Sequence, residues 1–304
     1  MCVERGWAIY VSAPTDEGAD IPRALELLER GCGLGDAIGC SRLAELYLEG
    51  TSVPVDHEQV SRWVERGCAL GHQESCTYLG MVLLANGGDR SEFERGLKLS
   101  TESCEAQEGN ACANLGSVYE AGFGVAPDPE RALSLYTKAC SLQSSTGCFK
   151  LGRIRLAAAP DDPDEISAII ALLEHSCDLG EPEGCHTLGM IYGAGIAGRP
   201  SDMDAAFPWL ARACEFGPSL ACVHLAVAHS QGAGTPQDTA RAVELLETNC
   251  EAGVGWGCTM LAAMLVDVEG DLQVDHARAR ALVDRGCELD EQACERARLA
   301  LSSP

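Results

Sequence analysis

The sequence predicts an all-α fold, a right-handed α/α superhelical solenoid of stacked helix pairs, on three observations. Cysteines stand in pairs: Cys32 and Cys40, Cys68 and Cys76, Cys104 and Cys112, Cys140 and Cys148, Cys177 and Cys185, Cys214 and Cys222, and Cys250 and Cys258 are eight apart, Cys287 and Cys294 seven. The pairs return every 36 or 37 residues, a period that marks stacked supersecondary units. Between them the chain carries helix-start and helix-stop signals and no strand signal. An array grows by adding neighbours, so all of 1–304 reads as one elongated solenoid. Its repeats start near 2, 40, 76, 112, 148, 185, 222 and 258, and a closing helix covers 294–301.

Each repeat opens with a short helix A at the second cysteine of a pair. Three residues on comes a leucine: Leu43, Leu79, Leu115, Leu151, Leu188, Leu225 or Leu261. Next to it stands a small residue, Ala44, Gly80, Gly116, Gly152, Gly189, Ala226 or Ala262. The leucine is an inward apolar knob, and the small neighbour admits a second helix at close range. Helix A ends in a glycine-rich loop, as in 121–129, 193–202 and 231–238. These G-x-G pieces follow no strand, so they are helix stops and not phosphate cradles.

Helix B begins at an acid twelve residues before the first cysteine. Asp20, Asp56, Asp128, Asp202, Asp238 and Asp275 fill that place, with Glu92 and Glu165 in the other two repeats. A carboxylate there accepts free backbone N–H groups and complements the helix dipole. Four before the cysteine come Leu28, Val64, Tyr136, Leu173, Leu210, Leu246 and Val283, on the face that packs against helix A. The first cysteine then ends helix B, and its partner opens helix A of the next repeat.

Lys and Arg total 22 against 46 Asp and Glu, a net charge of -24, which opposes binding to nucleic acid or to an anionic membrane surface. No apolar run is long enough to span a membrane. Pairs eight apart are wider than zinc spacings and suit a disulfide across a short loop; metal ligation or free thiols are the alternatives. Oxidised cysteines imply an extracytoplasmic compartment, periplasmic or secreted. Residues 1–20 show no signal sequence, yet Gly6 follows Cys2 by four as Gly80 follows Cys76. Cys2 therefore matches the second cysteine of a pair whose partner would precede the chain, so that the chain is expected to begin inside a repeat; a free thiol at a frayed terminus is the alternative.

The segment CANLGSVYEAGFGVAPDPERALSLYTKAC, 112–140, resembles the Sel1-like repeat, a relative of the tetratricopeptide repeat, through its L-G-x-x-Y, G-x-G-V, D and A-L…Y-x-K-A elements. The resemblance is close in the repeats from 112 and 185 and weaker over 40–111, where TSVPVD and LANGGD replace the glycine loop. Cysteines at every B-to-A junction resemble more specifically the Helicobacter cysteine-rich subfamily. That resemblance implies interhelical disulfides and export. It also implies the alternative activity of a penicillin-binding protein or weak beta-lactamase, with a muropeptide or beta-lactam as partner. Other cysteine-bearing Sel1-like proteins imply a second alternative, respiratory-complex assembly in the mitochondrial intermembrane space.

The residues do not supply lactam chemistry. Among Lys98, Lys138 and Lys150 none follows a serine by three, and no K-T-G occurs. The seven histidines are scattered, with His224 and His229 five apart, so neither metal nor cofactor is implied. What remains is a binding surface. Helix A lines the concave face of such arrays, and its variable position two after the second cysteine holds Arg42, Tyr78, Asn114, Lys150, Thr187, His224 and Met260. Tyr78 and Asn114 can hydrogen-bond a peptide main chain, and Lys150 with Arg153 and Arg155 forms a basic island or, alternatively, a solvated helix face balancing nearby acids. The expected function is a disulfide-stapled scaffold that binds a protein or peptide.

Overall fold

The computed structural model describes residues 2–12, 20–50, 53–85, 89–158, 162–195, 199–266, 275–292 and 294. Among these residues lie sixteen α-helices and no strand. The A helices are α1 (Cys2–Ser12), α3 (Ala37–Glu49), α5 (Gln73–Ala85), α7 (Gly109–Ala121), α9 (Ser145–Ala158), α11 (Pro182–Gly193), α13 (Leu220–Gln231) and α15 (Gly255–Val266). The B helices are α2 (Ile21–Gly33), α4 (His57–Ala69), α6 (Arg90–Glu105), α8 (Pro129–Ser141), α10 (Pro163–Asp178), α12 (Met203–Glu215), α14 (Thr239–Glu251) and α16 (His276–Leu289). The helix expected over 294–301 lies, beyond Cys294, outside the described residues.

The helices fall into two units, residues 1–150 and 151–304. In the first, α1 packs on α2, α3 on α4, α5 on α6 and α7 on α8, while α2, α4 and α6 each pack on the A helix that follows. In the second, α11 pairs with α12, α13 with α14 and α15 with α16, and α10, α12 and α14 each meet the next A helix. Both are stacks of α/α hairpins, in which every hairpin buries its apolar stripe only against its neighbours.

The hairpins close through the predicted leucine, small-residue and B-helix positions. Leu43, Leu188 and Leu261 on A helices are wholly or almost wholly buried, as are Leu28, Tyr136, Leu173 and Leu246 on B helices. Each such side chain contributes about 1.5–3 kcal/mol on burial. The small residue faces the B-helix residue four before the cysteine. A Cβ on Gly116 would lie 2.7 Å from Tyr136, and one on Gly189 2.5 Å from Leu210. Size at these two positions is thus coupled across each hairpin.

At the A-to-B turn the cap aspartate works twice. Its side chain accepts from the first turn of helix B, as Asp128 does from the Arg131 N–H at 3.0 Å and Asp238 from that of Arg241 at 2.9 Å. Its own N–H donates back to the last turn of helix A, to Tyr119 O from Asp128 and to His229 O from Asp238. Glu92 and Glu165 are not caps, contrary to the sequence expectation. In α6 and α10 the caps are Asp89 and Asp162, three residues earlier, and both helices run to sixteen residues, one turn longer than a typical B helix here. The shorter acid reaches the free N–H groups directly, leaving Glu165 to pair with Arg155.

The B-to-A turn also differs from expectation. Helix B runs past the first cysteine, and helix A starts two or three residues before the second, so both cysteines lie inside helices. The reversal uses one positive-φ residue, Gly35, Gly71, Gly180, Gly217 or Gly253 in five repeats but Gln107 (φ 73) and Gln143 (φ 63) in two. A backbone bond closes it, from Asp36 N–H to Gly31 O at 3.0 Å and from Ser144 N–H to Ala139 O at 3.0 Å. The residue before the second cysteine of a pair is small, as in Gly39, Ser75, Ala111, Gly147, Gly184, Ala221 and Gly257, because the two helices nearly touch there. A Cβ on Gly147 would sit 2.5 Å from the Ala139 Cβ.

That close approach brings the sulfurs together. Eight disulfides join Cys32 to Cys40, Cys68 to Cys76, Cys104 to Cys112, Cys140 to Cys148, Cys177 to Cys185, Cys214 to Cys222, Cys250 to Cys258 and Cys287 to Cys294. Their Cα atoms are 4.3 to 4.8 Å apart. Each staples helix B of one repeat to the A segment of the next. Cys2 is half-buried and unbridged.

Candidate binding face

The seven variable A-helix residues are all half-buried, on the edge of the packed stripe and open to solvent. Their local commitments divide them. Arg42 on α3 pairs with Glu45 at 2.7 Å, and its guanidinium lies 4.0 Å above the Trp7 ring of α1. Tyr78 on α5 packs against the core that α1 to α5 share. Thr187 on α11 donates its hydroxyl to Glu183 O at 2.7 Å, one turn back. Met260 on α15 packs against the main core of the second unit. These four are held by the repeat itself.

Asn114 is different. It lies on α7 beside a pocket of about 270 Å³ between α5 and α7, walled by Met81, Leu84, Val118 and Phe123. Met81 and Phe123 are exposed apolar side chains. Among the described residues the Asn114 amide has no hydrogen-bond partner. A polar amide beside an apolar hollow can take a peptide's main chain while the hollow takes a side chain.

The predicted basic island is not a set of three uncommitted charges. Lys150 is half-buried and Arg153 exposed on α9, but Arg155 forms a two-pronged pair with Glu165 of α10 at 2.6 Å for each prong. The hydrogen bond to Glu165 raises the Arg155 pKa, and the same bond lowers that of Glu165. Arg155 is therefore a strut between a helix pair.

In the second unit the structure joins His224 of α13 to His186 of α11, 38 residues away, with Nε2 of His186 2.8 Å from Nδ1 of His224. The ring centres are 5.0 Å apart and the planes tilted by 24°. That separation is close to the N···N distance plus a ring radius at each end, its greatest possible value, so the nitrogens lie nearly on the line joining the rings. One ring donates and the other accepts, which requires both to be neutral or one to be charged. Burial, and then the neighbouring His224, lowers the His186 pKa to about 4, with Glu183 opposing; burial lowers that of His224. Sequence reasoning placed His224 on this face but missed His186, which stands one after the cysteine instead of two. The signal was a separation of one repeat and one residue. His229 points elsewhere and meets the Phe207 ring edge-on at 5.3 Å. No group of three potential metal ligands occurs among the described residues.

A profile of the Sel1 repeat matches residues 15–36, 37–72, 109–144, 182–217 and 219–254, together more than half of the chain. Among solved structures the fold is similar to that of a protective antigen of uropathogenic Escherichia coli displaying an SLR fold. The identity is 20% and the TM-score 0.61, over 99% of this chain and 65% of that one, so the chain spans less than two thirds of that antigen's length. A Sel1 repeat protein from Oxalobacter formigenes is similar at 20% identity and TM-score 0.59, over 96% of this chain and 85% of that one. At such identities the likeness establishes the solenoid fold alone. No curated protein matches by sequence.

Proposed function

Because the chain belongs to the Sel1-repeat family, we propose that it is a disulfide-stapled scaffold whose A-helix face binds a protein or peptide in an extracytoplasmic compartment. The observation that carries the reading is the hollow between α5 and α7, with the unpaired amide of Asn114 beside exposed Met81 and Phe123. Eight disulfides support the compartment, since thiols at this density stay reduced in a cytosol. Among the described residues no helix is long and apolar enough to cross a membrane. The lactam and muropeptide alternatives rest on resemblance alone. Two of the three lysines are engaged, Lys98 with Glu102 at 3.7 Å and Lys138 with Cys104 O at 2.8 Å.

Selection of displayed peptides on the oxidised protein tests the reading. Enriched peptides are expected to lose at least about fivefold in affinity, roughly 1 kcal/mol, on Asn114→Ala or Met81→Ala. Leu133→Ala, on α8, should leave them unchanged. Failure to enrich any peptide, or equal binding by all three variants, would sink the proposal.

A further inference from the structure

The B-helix side of the first unit carries a separate charge arrangement. A pocket of about 600 Å³ lies between the end of α2 and α4, with Arg95 of α6 in its wall. Arg62 and Arg66, one turn apart on α4, complete a set of three guanidiniums, accompanied by Glu65, Glu29 and the Trp63 ring. In a chain of net charge -24 this is a local reversal of sign. Arg95 is matched by Glu65 at 3.1 Å. Arg62 lies with its guanidinium 4.7 Å from the centre of the Trp63 ring, and no carboxylate pairs with it or with Arg66 among the described residues. Trp63 is more than nine-tenths buried, and its indole N–H has no acceptor there.

The position of Arg66 shows what it leaves undone. It stands two before the first cysteine of its pair, as do Lys138, Arg212 and Arg285. Those three reach back to the carbonyl end of the preceding B helix: Lys138 to Cys104 O at 2.8 Å, Arg212 to Cys177 O at 3.2 Å and Arg285 to Glu251 O at 3.5 Å. A cation there complements the helix dipole and satisfies a free carbonyl. Arg66 shares its pocket with Cys32 at the matching end of α2 but makes no such bond among the described residues. One repeat further on, a pocket of about 450 Å³ among α6, α7 and α8, which shares only part of this lining, is charge-balanced. Glu102 takes the place of Arg66 and pairs with Lys98, and Glu94 accompanies Arg131. The side chains of α4 and α6 make the first hollow cationic.

We propose that the Arg62–Arg66–Arg95 pocket is an oxyanion site that takes a phosphate or carboxylate group. Two guanidiniums one turn apart can both donate N–H groups to such a group, which a lone surface cation cannot. This site is independent of the A-helix face.

Calorimetric titration of the oxidised full chain at low salt, with inorganic phosphate, citrate and a hexaglutamate peptide in turn, tests it. The expected result is saturable one-to-one binding of at least one probe, weakened at least tenfold by Arg66→Gln and by Arg62→Gln. Lys98→Gln, in the balanced pocket, should change it less than twofold. Both arginines are exposed, and an unaltered far-UV circular dichroism spectrum establishes that the variants fold. Binding of phosphate or citrate assigns the site to a free oxyanion, and binding of the peptide alone assigns it to a carboxylate-bearing partner; either outcome supports the site. No saturable heat with any probe, unaltered affinity in the arginine variants, or equal loss in Lys98→Gln would overturn it.

Discussion

Gly116→Ala is the substitution for which local and tertiary physics disagree most. In an isolated helix the change stabilises by about 1 kcal/mol, because glycine has more conformational freedom to lose. In α7 the new Cβ would lie 2.7 Å from Cε1, 2.9 Å from Cδ1 and 3.1 Å from Cζ of Tyr136. That ring is fully buried, and its hydroxyl donates to Glu120 at 2.7 Å and lies 3.0 Å from Ser117 Oγ. A rigid ring held at its far end cannot swing aside as a leucine tip can. Overpacking of this kind costs about 1–3 kcal/mol, and loosening a hydrogen bond to a charged acceptor about 1.5–3 kcal/mol if it is lost entirely. After the helix-propensity gain, the net expectation is a loss of roughly 1–3 kcal/mol. Tyr136→Leu in the Gly116→Ala background should recover part of it, since repeats with alanine at this place set Val64, Leu246 or Val283 in the place of Tyr136. Urea unfolding by circular dichroism measures the four members of the cycle. Hydrogen exchange in α7 and α8 localises the effect, because a repeat array need not unfold in one step. A more stable Gly116→Ala protein, or strict additivity with Tyr136→Leu, would refute the coupling.

Three further outcomes are expected. Replacing Cys140 and Cys148 by serine should cost about 2.5 kcal/mol on the chain-entropy estimate for an eight-residue loop, and alkylation of the denatured, unreduced wild type should label Cys2 alone; urea midpoints and intact mass check the two. Because folding lowers the pKa of His186 to about 4 and also that of His224, the unfolded chain takes up protons first as the pH drops below about 6.5. The His pair therefore leaves stability intact above that pH and removes about 1–2 kcal/mol toward pH 4, allowing for partial exposure, and His186→Asn should flatten this part of the pH profile. A slope unchanged in His186→Asn would assign it to the carboxylates instead. Gln143→Gly should raise stability by up to about 1 kcal/mol, since φ is 63° at that residue, and a lowered urea midpoint would show that the side chain compensates for the strain.

The repeat frame was legible because it is written locally. Leucine, small residue, cap and cysteine recur at fixed offsets, and each offset corresponds to a turn of helix or a short loop. The two misassigned caps show the limit of that reading. Glu92 and Glu165 occupy the right offset, but an aspartate one turn earlier captures the helix start, and offset alone does not register a longer helix. The positive-φ residue at the B-to-A turn was equally present in the chain, as glycine in five repeats and glutamine in two. Because glutamine rarely adopts that conformation, the alternation hid the pattern.

By itself, the sequence determined the helix pairs, their period, the regular spacing of the cysteines and the acidic surface, all of which follow from spacing within 40 residues and from composition. Only the tertiary structure decided which variable side chains are spent and which are left over. Arg42, Thr187 and Arg155 are consumed by neighbours, Asn114 stands open beside a hollow, and His186 meets His224. Arg66 is left over where Lys138, Arg212 and Arg285 are bound. The physical reason is that stacking sets residues one repeat apart side by side, at distances of a few ångströms, so a site here is a relation between repeats that no single repeat contains.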